Sequence, residues 1–169
     1  MINYDRPMLD LIDELSATGH VTHTKHQKKS VTIHHNGGLL TRRGVLNVWK
    51  SRPASAHFDV DAHGRLAQYV RVLEYAWATG DTQGNIESIS IEHANVSTSP
   101  RWEVAEPTWH AGARLTGWLF ADVIEDRPNR HNLFFHHHWK ATSCAGPYME
   151  KHYEQYLDRA QRAYEHFMH

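Results

Sequence analysis

The 169-residue chain has a single cysteine, Cys144, and no excess of charge of either sign. One cysteine excludes an intramolecular disulfide, so we expect the chain to suit a reducing compartment in which the thiol survives. The net charge of -1 provides no basic surface for nucleic acid or an anionic membrane. No stretch approaches the ~18 consecutive apolar residues of a membrane span, which argues against membrane insertion.

The N-terminus also lacks the features of a secretory signal peptide. The segment MINYDRPMLDLIDELSATGH carries acidic residues inside its apolar stretch and has no small-residue cleavage site. We therefore expect that this segment is not a signal peptide.

Periodicity along the chain predicts one α/β domain, residues 1–169, in which helices flank a central mixed β-sheet. Alternating apolar and polar residues predict strands in KSVTIHH, in HFDVDAHGRLAQYV on both sides of a turn at His63-Gly64, and in ESISIEH. Apolar residues at helical spacing predict helices over 5–18, TRRGVLNVWKSR, 107–125 and about 148–168.

Histidine is over-represented, with 16 copies, and two clusters stand in a structural context. His34 and His35 end a predicted strand, whereas His136–His138 precede Cys144. Catalytic zinc sites use three protein ligands, drawn from histidine, cysteine and carboxylates, and keep a fourth position open. Spacing alone leaves two interpretations open: a metal site, or surface histidines near a buried and inert cysteine.

The string HHHWKATSCAG, residues 136–146, resembles the C-terminal metal motif of the zinc-dependent N-acetylmuramoyl-L-alanine amidases. This family includes peptidoglycan recognition proteins and many phage endolysins, and its motif runs His-Arg-Asp-Trp, two variable residues, Thr, one variable residue and Cys-Pro-Gly. Three further blocks are similar to strands of the family and follow in the family's order: IHH at 33–35, SAHFDVDAHGRLAQYV and SISIEHANVS. The resemblance covers about residues 28 to 150.

The resemblance implies an amidase-like α/β fold and one Zn²⁺ held by His34, His136 and Cys144. It places Glu92 in the active site and Thr142 where some members carry a catalytic lysine. The chain departs from the family pattern in the Arg-Asp pair of the motif and at three single positions, which are occupied here by His137-His138, Ala56, Ala78 and Ala145. These departures spare the three metal ligands and concern the groups that would stabilise the transition state.

The chemistry of the residues agrees with these roles. Two neutral imidazoles and a thiolate suit zinc, which lowers the pKa of a bound water to roughly 7. A carboxylate is then useful to accept the proton of the water and pass it to the leaving amine. Strand alternation turns Glu92 away from Ile89 and Ile91 and towards the polar face that His34 shares. Glu92 is the candidate general base, with a structural carboxylate as the alternative, and Thr142 is a candidate hydrogen-bond donor to the oxyanion.

Several other side chains are candidates for substrate contact, each with a structural alternative. His35 either contacts the substrate or lies on the surface, and His57 either lines the groove or lies within the sheet. Asn36 and Asn95 either contact glycan or peptide or stabilise turns through their side-chain hydrogen bonds. Trp77, like Trp102, either stacks on a sugar or packs in the core. His137 and His138 are interpreted as peripheral to the metal.

The leading hypothesis is a zinc amidase that cuts the bond between N-acetylmuramic acid and L-alanine in bacterial peptidoglycan. A wall-degrading fold without a signal peptide resembles a phage endolysin. Such a protein would be a monomer that is made in the host cytoplasm and acts on the wall after release. The alternatives are a non-catalytic peptidoglycan-binding module of the same fold, an intracellular muropeptide-recycling amidase, and a structural zinc site. The presence of Cys144 favours catalysis over binding alone, because recognition proteins without activity commonly lose this ligand.

Overall fold

The computed structural model describes residues 20–169, so the helix expected over 5–18 lies outside the described residues. The strands are β1 (Val21–Thr22), β2 (Ser30–Ile33), β3 (Phe58–Val60), β4 (Leu66–Gln68), β5 (Tyr75–Ala76), β6 (Ser88–His93) and β7 (Leu133–Phe135). The helices are α1 (Arg42–Ser51), α2 (Thr82–Glu87), α3 (Glu106–Leu119), α4 (Gly146–Lys151) and α5 (Tyr153–Met168). None of the helices within 20–169 has the length and apolar character needed to cross a bilayer.

A five-stranded sheet in the order β4-β3-β6-β2-β7 forms the centre of the molecule. The pairs β3–β6, β6–β2 and β2–β7 are parallel, whereas β3–β4 is an antiparallel hairpin, so the sheet is mixed. Strands β1 and β5 form a separate antiparallel pair. Because β2, β6 and β7 run in the same direction, the residues that follow them meet at one edge of the sheet.

Alternation along the strands gives the sheet two chemically different faces. One face is apolar except for His93 at the end of β6 and is buried beneath α3 and α5, with apolar side chains contributed by Val31, Ile33, Phe58, Val60, Ile89 and Ile91. The opposite face carries the polar side chains of the same strands. Near the β4 edge it is covered by α1, whose Val45, Leu46 and Trp49 pack on Ala67 and Tyr69.

Helices α3 and α5 pack closely because small residues line their contact. A side chain at Gly117 would lie 2.5 Å from the carbonyl oxygen of Ala160, and one at Gly112 would lie 2.2 Å from the ring of His93. Glycine at both positions therefore lets the two helices and the end of β6 approach one another. This contact places the hydroxyl of Tyr156 beside His93, at 3.2 Å.

The structure confirms the predicted α/β fold, and it corrects the prediction at both long helices. The helix expected over 107–125 is α-helical only to Leu119 and continues as a π-helical turn, Phe120–Ile124. The helix expected over 148–168 is divided at His152, whose ring donates a hydrogen bond to the Tyr148 carbonyl at 2.7 Å. The i→i−4 backbone bonds are kept on both sides of His152, from its amide to Tyr148 at 3.2 Å and from the Tyr156 amide to its carbonyl at 2.9 Å, and the break is confined to the backbone of His152, with φ −98° and ψ 10°.

Four short elements were not predicted: β1, β5, α2 and β7. Strands β1 and β5 have two residues each and α2 has six, which is too short for a periodic signal, and β7 consists of three consecutive apolar residues without alternation. The omission of β7 matters most, because this strand leads directly into His136.

Candidate metal centre

The polar face of the sheet presents two rows of side chains across β2, β6 and β3. Thr32 pairs in register with Ser90, and Asp59 with Glu92. Since His34 follows β2 by one residue, it continues the second row on the other side of Glu92. The carboxyl ends of the strands thus bring a histidine and two acidic side chains to one edge.

Three potential metal ligands converge at this edge. His34 follows β2, His136 begins the turn after β7, and Cys144 lies in the loop before α4. Their ligand atoms all lie within 4.8 Å of one another, and the rings of the two histidines are 4.6 Å apart between centroids. The three residues that the sequence resemblance indicated are therefore neighbours in the structure.

Hydrogen bonds fix the orientation of each ligand. Nε2 of His136 donates to the carbonyl of Thr79 at 2.9 Å, which leaves Nδ1 with its lone pair available for a metal. Nε2 of His34 lies 3.1 Å from the hydroxyl of Ser90. The backbone amide of His35 donates to the sulfur of Cys144 at 3.3 Å. Such second contacts are typical of metal sites, where they set the ring orientation and the tautomer.

The backbone of the first ligand is also held from behind. Nδ1 of His93 donates to the carbonyl of His34 at 2.8 Å, and its Nε2 faces the hydroxyl of Tyr156. Tyr156 is buried in α5 and also contacts the Thr116 hydroxyl at 3.0 Å. The helical layer therefore connects to the end of β2 through a chain of hydrogen bonds.

Protonation in the site favours the forms of histidine that bind metals. Burial lowers the pKa of His34 well below its ordinary value, and the neighbouring His136 lowers it further. Burial likewise lowers the pKa of His136. Both rings are therefore neutral at physiological pH, as a metal ligand must be.

The thiol of Cys144 shows the opposite tendency. Burial raises its pKa well above the ordinary value, and the carboxylate of Glu92 adds to this effect, while the amide of His35 opposes it. A nearby cation would reverse the balance, because a coordinating thiol loses its proton.

The donor set fits zinc. Bonds of about 2.0–2.1 Å to nitrogen and about 2.3 Å to sulfur require ligand atoms within roughly 4 Å of one another. A separation of at most 4.8 Å leaves only a small adjustment of side-chain torsions to reach that geometry. Two neutral imidazoles and one cysteine are typical of a zinc site that keeps a fourth position open, whereas structural sites use four ligands and usually more cysteines.

Glu92 stands beside these ligands with one oxygen uncommitted. Its side chain is partly exposed, and its Oε2 atom has no hydrogen-bond partner among the described residues. Burial of the carboxyl group raises the pKa of Glu92 well above its ordinary value, and the charge of Asp59 raises it further. An acceptor oxygen in this position can take up a proton.

Asp59 is a site residue that sequence reasoning missed. Its side chain is 0% exposed, its Oδ1 accepts a hydrogen bond from Asn36 at 3.2 Å, and its Oδ2 has no partner among residues 20–169. Burial raises the pKa of Asp59 to about 7. The available signal was its polar position in the strand HFDVD, although only the pairing of β3 with β6 places it beside Glu92.

Two of the five residues predicted to contact the substrate are buried and hydrogen-bonded within the fold. His57 is buried, with Nδ1 accepting from the Ser90 amide and Nε2 donating to the Glu74 carbonyl. Asn95 is buried and bridges the Gly37 amide and the Trp102 carbonyl. Both arrangements favour the structural alternatives that the sequence left open.

The other candidates remain nearer to the ligands or to solvent. His35 and Asn36 are partly exposed and follow His34 directly. Trp77 is 38% exposed, and its indole donates to the Thr22 hydroxyl at 3.0 Å. Thr142 lies on the exposed loop before Cys144, and the Thr142 hydroxyl accepts a hydrogen bond from the Cys144 amide at 3.3 Å. The exposed side chain of His137 lies 3.4 Å from the Glu150 carboxylate, on the periphery.

The sequence profile of the N-acetylmuramoyl-L-alanine amidase family matches residues 21–147. No curated protein sequence matches the chain. Among solved structures, PlyL is 21% identical, with a TM-score of 0.71 over 89% of this chain and 94% of that one. The PlyG catalytic domain is 19% identical, with a TM-score of 0.74 over 92% and 96%. The N-acetylmuramoyl-L-alanine amidase LysC from Clostridium intestinale is 16% identical, with a TM-score of 0.68 over 89% and 98%.

Proposed function

The chain belongs to the N-acetylmuramoyl-L-alanine amidase family, and we propose that it hydrolyses the amide bond between N-acetylmuramic acid and L-alanine in peptidoglycan with one Zn²⁺ per chain. The convergence of His34, His136 and Cys144 beside Glu92 carries this proposal. A binding module would need neither a complete ligand set nor a carboxylate with a free oxygen next to it.

Each of these residues receives a role from its position. His34, His136 and Cys144 would hold the zinc ion, which supplies Lewis acidity towards a water molecule and the amide carbonyl. Glu92 would accept the proton of the attacking water and return it to the nitrogen of the leaving L-alanine, because its free oxygen lies on the ligand side of the sheet. Thr142 would assist with a hydrogen bond to the developing oxyanion.

The substrate would lie across the edge at which the parallel strands end. His35 and Asn36, which follow the first ligand, are the proposed contacts closest to the metal. Trp77 offers an exposed ring on which a sugar could stack. His57 and Asn95 would support the site from within the fold instead of binding the substrate.

We extend the proposal to the biological setting of an endolysin. The similar solved structures include proteins described as endolysins, among them a mutant endolysin from Bacillus subtilis with 19% identity and a TM-score of 0.70. The protein would be made in the host cytoplasm, act as a monomeric single domain and reach the wall during lysis.

Product analysis tests this proposal. Digestion of purified peptidoglycan should release stem peptides that carry a new free amine on L-alanine and should leave the glycan chains whole, as judged by mass spectrometry. A chelator should abolish the digestion and added zinc should restore it. New reducing sugar ends would identify a glycosidase, and new amines on D-amino acids or diaminopimelate would identify an endopeptidase; either result would overturn the proposal.

A further inference from the structure

The segment between β5 and β6 makes an unusual number of hydrogen bonds around one side chain. Oδ1 of Asn85 accepts from the amides of Ala78 and Thr79, at 3.1 and 2.8 Å, and from the Thr79 hydroxyl at 2.9 Å. One side-chain oxygen thus holds two successive peptide groups and a buried hydroxyl. Thr79 itself is 0% exposed.

The carbonyl of Thr79 is the group that accepts the hydrogen bond from Nε2 of His136. Asn85 therefore holds the amide group of Thr79, and the carbonyl group of the same Thr79 orients the metal ligand His136. Loss of the Asn85 acceptor would leave the Thr79 amide and hydroxyl without this partner and would release the loop that carries the carbonyl.

Helix α2, which carries Asn85, is anchored at both ends. At its start, the Asp81 carboxylate accepts from the Gly84 amide at 2.7 Å. At its end, the buried Lys28 donates to the carbonyls of Asn85, Ile86 and Ser88, at 3.3, 2.9 and 3.3 Å. The last carbonyl groups of a helix have no regular partner within the helix. Lys28, which lies two residues before β2, supplies that partner and so caps the C-terminal end of α2.

The segment is also in contact with the loop of the second ligand. A side chain at Gly84 would lie 2.7 Å from the ring of Trp139, which stands three residues after His136. The indole of Trp139 donates to Thr32 on β2 at 2.9 Å. Helix α2, the His136 turn and the strand of the first ligand are therefore packed as one unit.

We propose that Asn85 is a positioning residue for the metal centre, which fixes His136 in the tautomer and orientation that present Nδ1 to the ion by holding the Thr79 carbonyl. The inference rests on the proposed zinc site. Removal of such supporting contacts costs about 10- to 100-fold in metal affinity.

Zinc affinity of the full chain, measured by competition with a chromogenic chelator, tests the proposal. Asn85→Leu should weaken zinc binding by about 10- to 100-fold. Asn85→Asp should restore near-native affinity, because a carboxylate oxygen can accept the same three hydrogen bonds. With Co²⁺ in place of zinc, the absorption spectrum of Asn85→Leu should change and that of Asn85→Asp should match the native protein.

Two control variants separate positioning from general stability. Gln83→Ala, on the exposed side of the same helix, should leave zinc affinity unchanged. Leu115→Ala should destabilise the core of α3 without a change in the affinity of the folded protein. Native zinc affinity in Asn85→Leu, or equal weakening in Leu115→Ala, would overturn the inference. If the native protein itself bound no zinc, the proposed function would fail first, and the two failures are thereby distinguishable.

Discussion

The two faces of the central sheet are made by the same strands, but one face carries mainly apolar side chains and the other mainly polar ones. On the face beneath α3 and α5, every strand contributes apolar side chains that are fully buried, such as Ile33 and Ile91. One residue further along the same strands, the other face carries His34 and Glu92. Glu92 is partly exposed, but His34 and Asp59 on this face are buried like Ile33 and Ile91. The two faces therefore differ mainly in how their buried groups are satisfied.

On the apolar face, burial itself supplies the stabilisation, at roughly 25 cal/mol per Å² removed from water. On the polar face burial is a cost, which hydrogen bonds must offset. Most groups there are satisfied, as when His57 uses both ring nitrogens. The unsatisfied atoms concentrate near the ligands and include Oδ2 of Asp59 and Oε2 of Glu92. Uncompensated buried polar atoms are expected where a site is organised for function instead of stability.

Removal of a ligand from the polar face is expected to have the largest effect. Cys144→Ala leaves two histidine ligands, so elemental analysis should find that most of the roughly one zinc per chain is lost, and peptidoglycan hydrolysis should fall to background. The matched control is Ser143→Ala, an exposed neighbour that should retain zinc and activity. Stoichiometric zinc in Cys144→Ala would exclude this cysteine from the ligand set.

Glu92→Gln should have the next largest effect, because it keeps the shape of the side chain and removes the proton acceptor. General acid–base catalysis contributes typically 10²–10⁴-fold, so kcat should fall by about that factor while zinc content and substrate binding stay near native. Thr142→Val should cause a smaller fall, since the metal would carry most of the oxyanion charge. Near-native turnover in Glu92→Gln would assign the base to another residue, and loss of zinc or of folding would indicate a structural carboxylate.

The apolar face could be predicted from the sequence because its signal is local. Alternation in VTI and ISI orients Ile33 and Ile91 towards the core without any knowledge of neighbouring strands. The same alternation orients His34 and Glu92 outwards, but the ligand set itself was implied by the resemblance of the motif around His136 and Cys144 to the amidase family. Fold class therefore depends on short-range patterns, whereas the ligand set depends on that resemblance.

The supporting residues could not be predicted because their roles depend on pairing between distant segments. Asp59 is next to Glu92 only because β3 pairs with β6. Asn85 acts through Thr79 on His136, which is 51 positions further along the chain. His57 and Asn95 were candidates for substrate contact, and the structure instead pairs them with Glu74 and Trp102. Tertiary hydrogen bonds leave no periodic trace in a sequence, whether the partners are 7 positions apart, as Asn95 and Trp102 are, or 57, as Thr79 and His136 are.

Asp59 should make the polar face sensitive to pH. Burial raises its pKa to about 7, so the folded protein keeps a proton that the unfolded chain loses near pH 4. Stability from this group is therefore fully present below about pH 4 and is lost as the pH rises through about 7. In urea unfolding, Asp59→Asn should reduce the fall in the free energy of unfolding between these pH values.

The control for this effect is Glu87→Gln, because Glu87 is stabilised as an anion and is not among the groups that shift the pKa of Asp59. A hydrogen bond from the Lys29 ammonium at 2.7 Å lowers the pKa of Glu87. Loss of that carboxylate should steepen the fall of stability with rising pH or leave it unchanged, and it should not reduce it. An equal pH dependence in the native protein and Asp59→Asn would show that Asp59 is ionised in the fold.

The smallest effect should come from the apolar face, at the residue that adjoins His34 in the chain. Ile33→Val removes one buried methylene from a residue that is 0% exposed and immediately precedes His34. Such substitutions typically cost about 0.5–1.5 kcal/mol, so the urea midpoint should fall with an unchanged m value. Zinc content and kcat should stay native, because the side chain points away from the ligands and the backbone of His34 is held separately by Ile91 and His93. A loss of zinc would mean that packing on the apolar face sets the position of the ligand, and the two faces would then act as one unit.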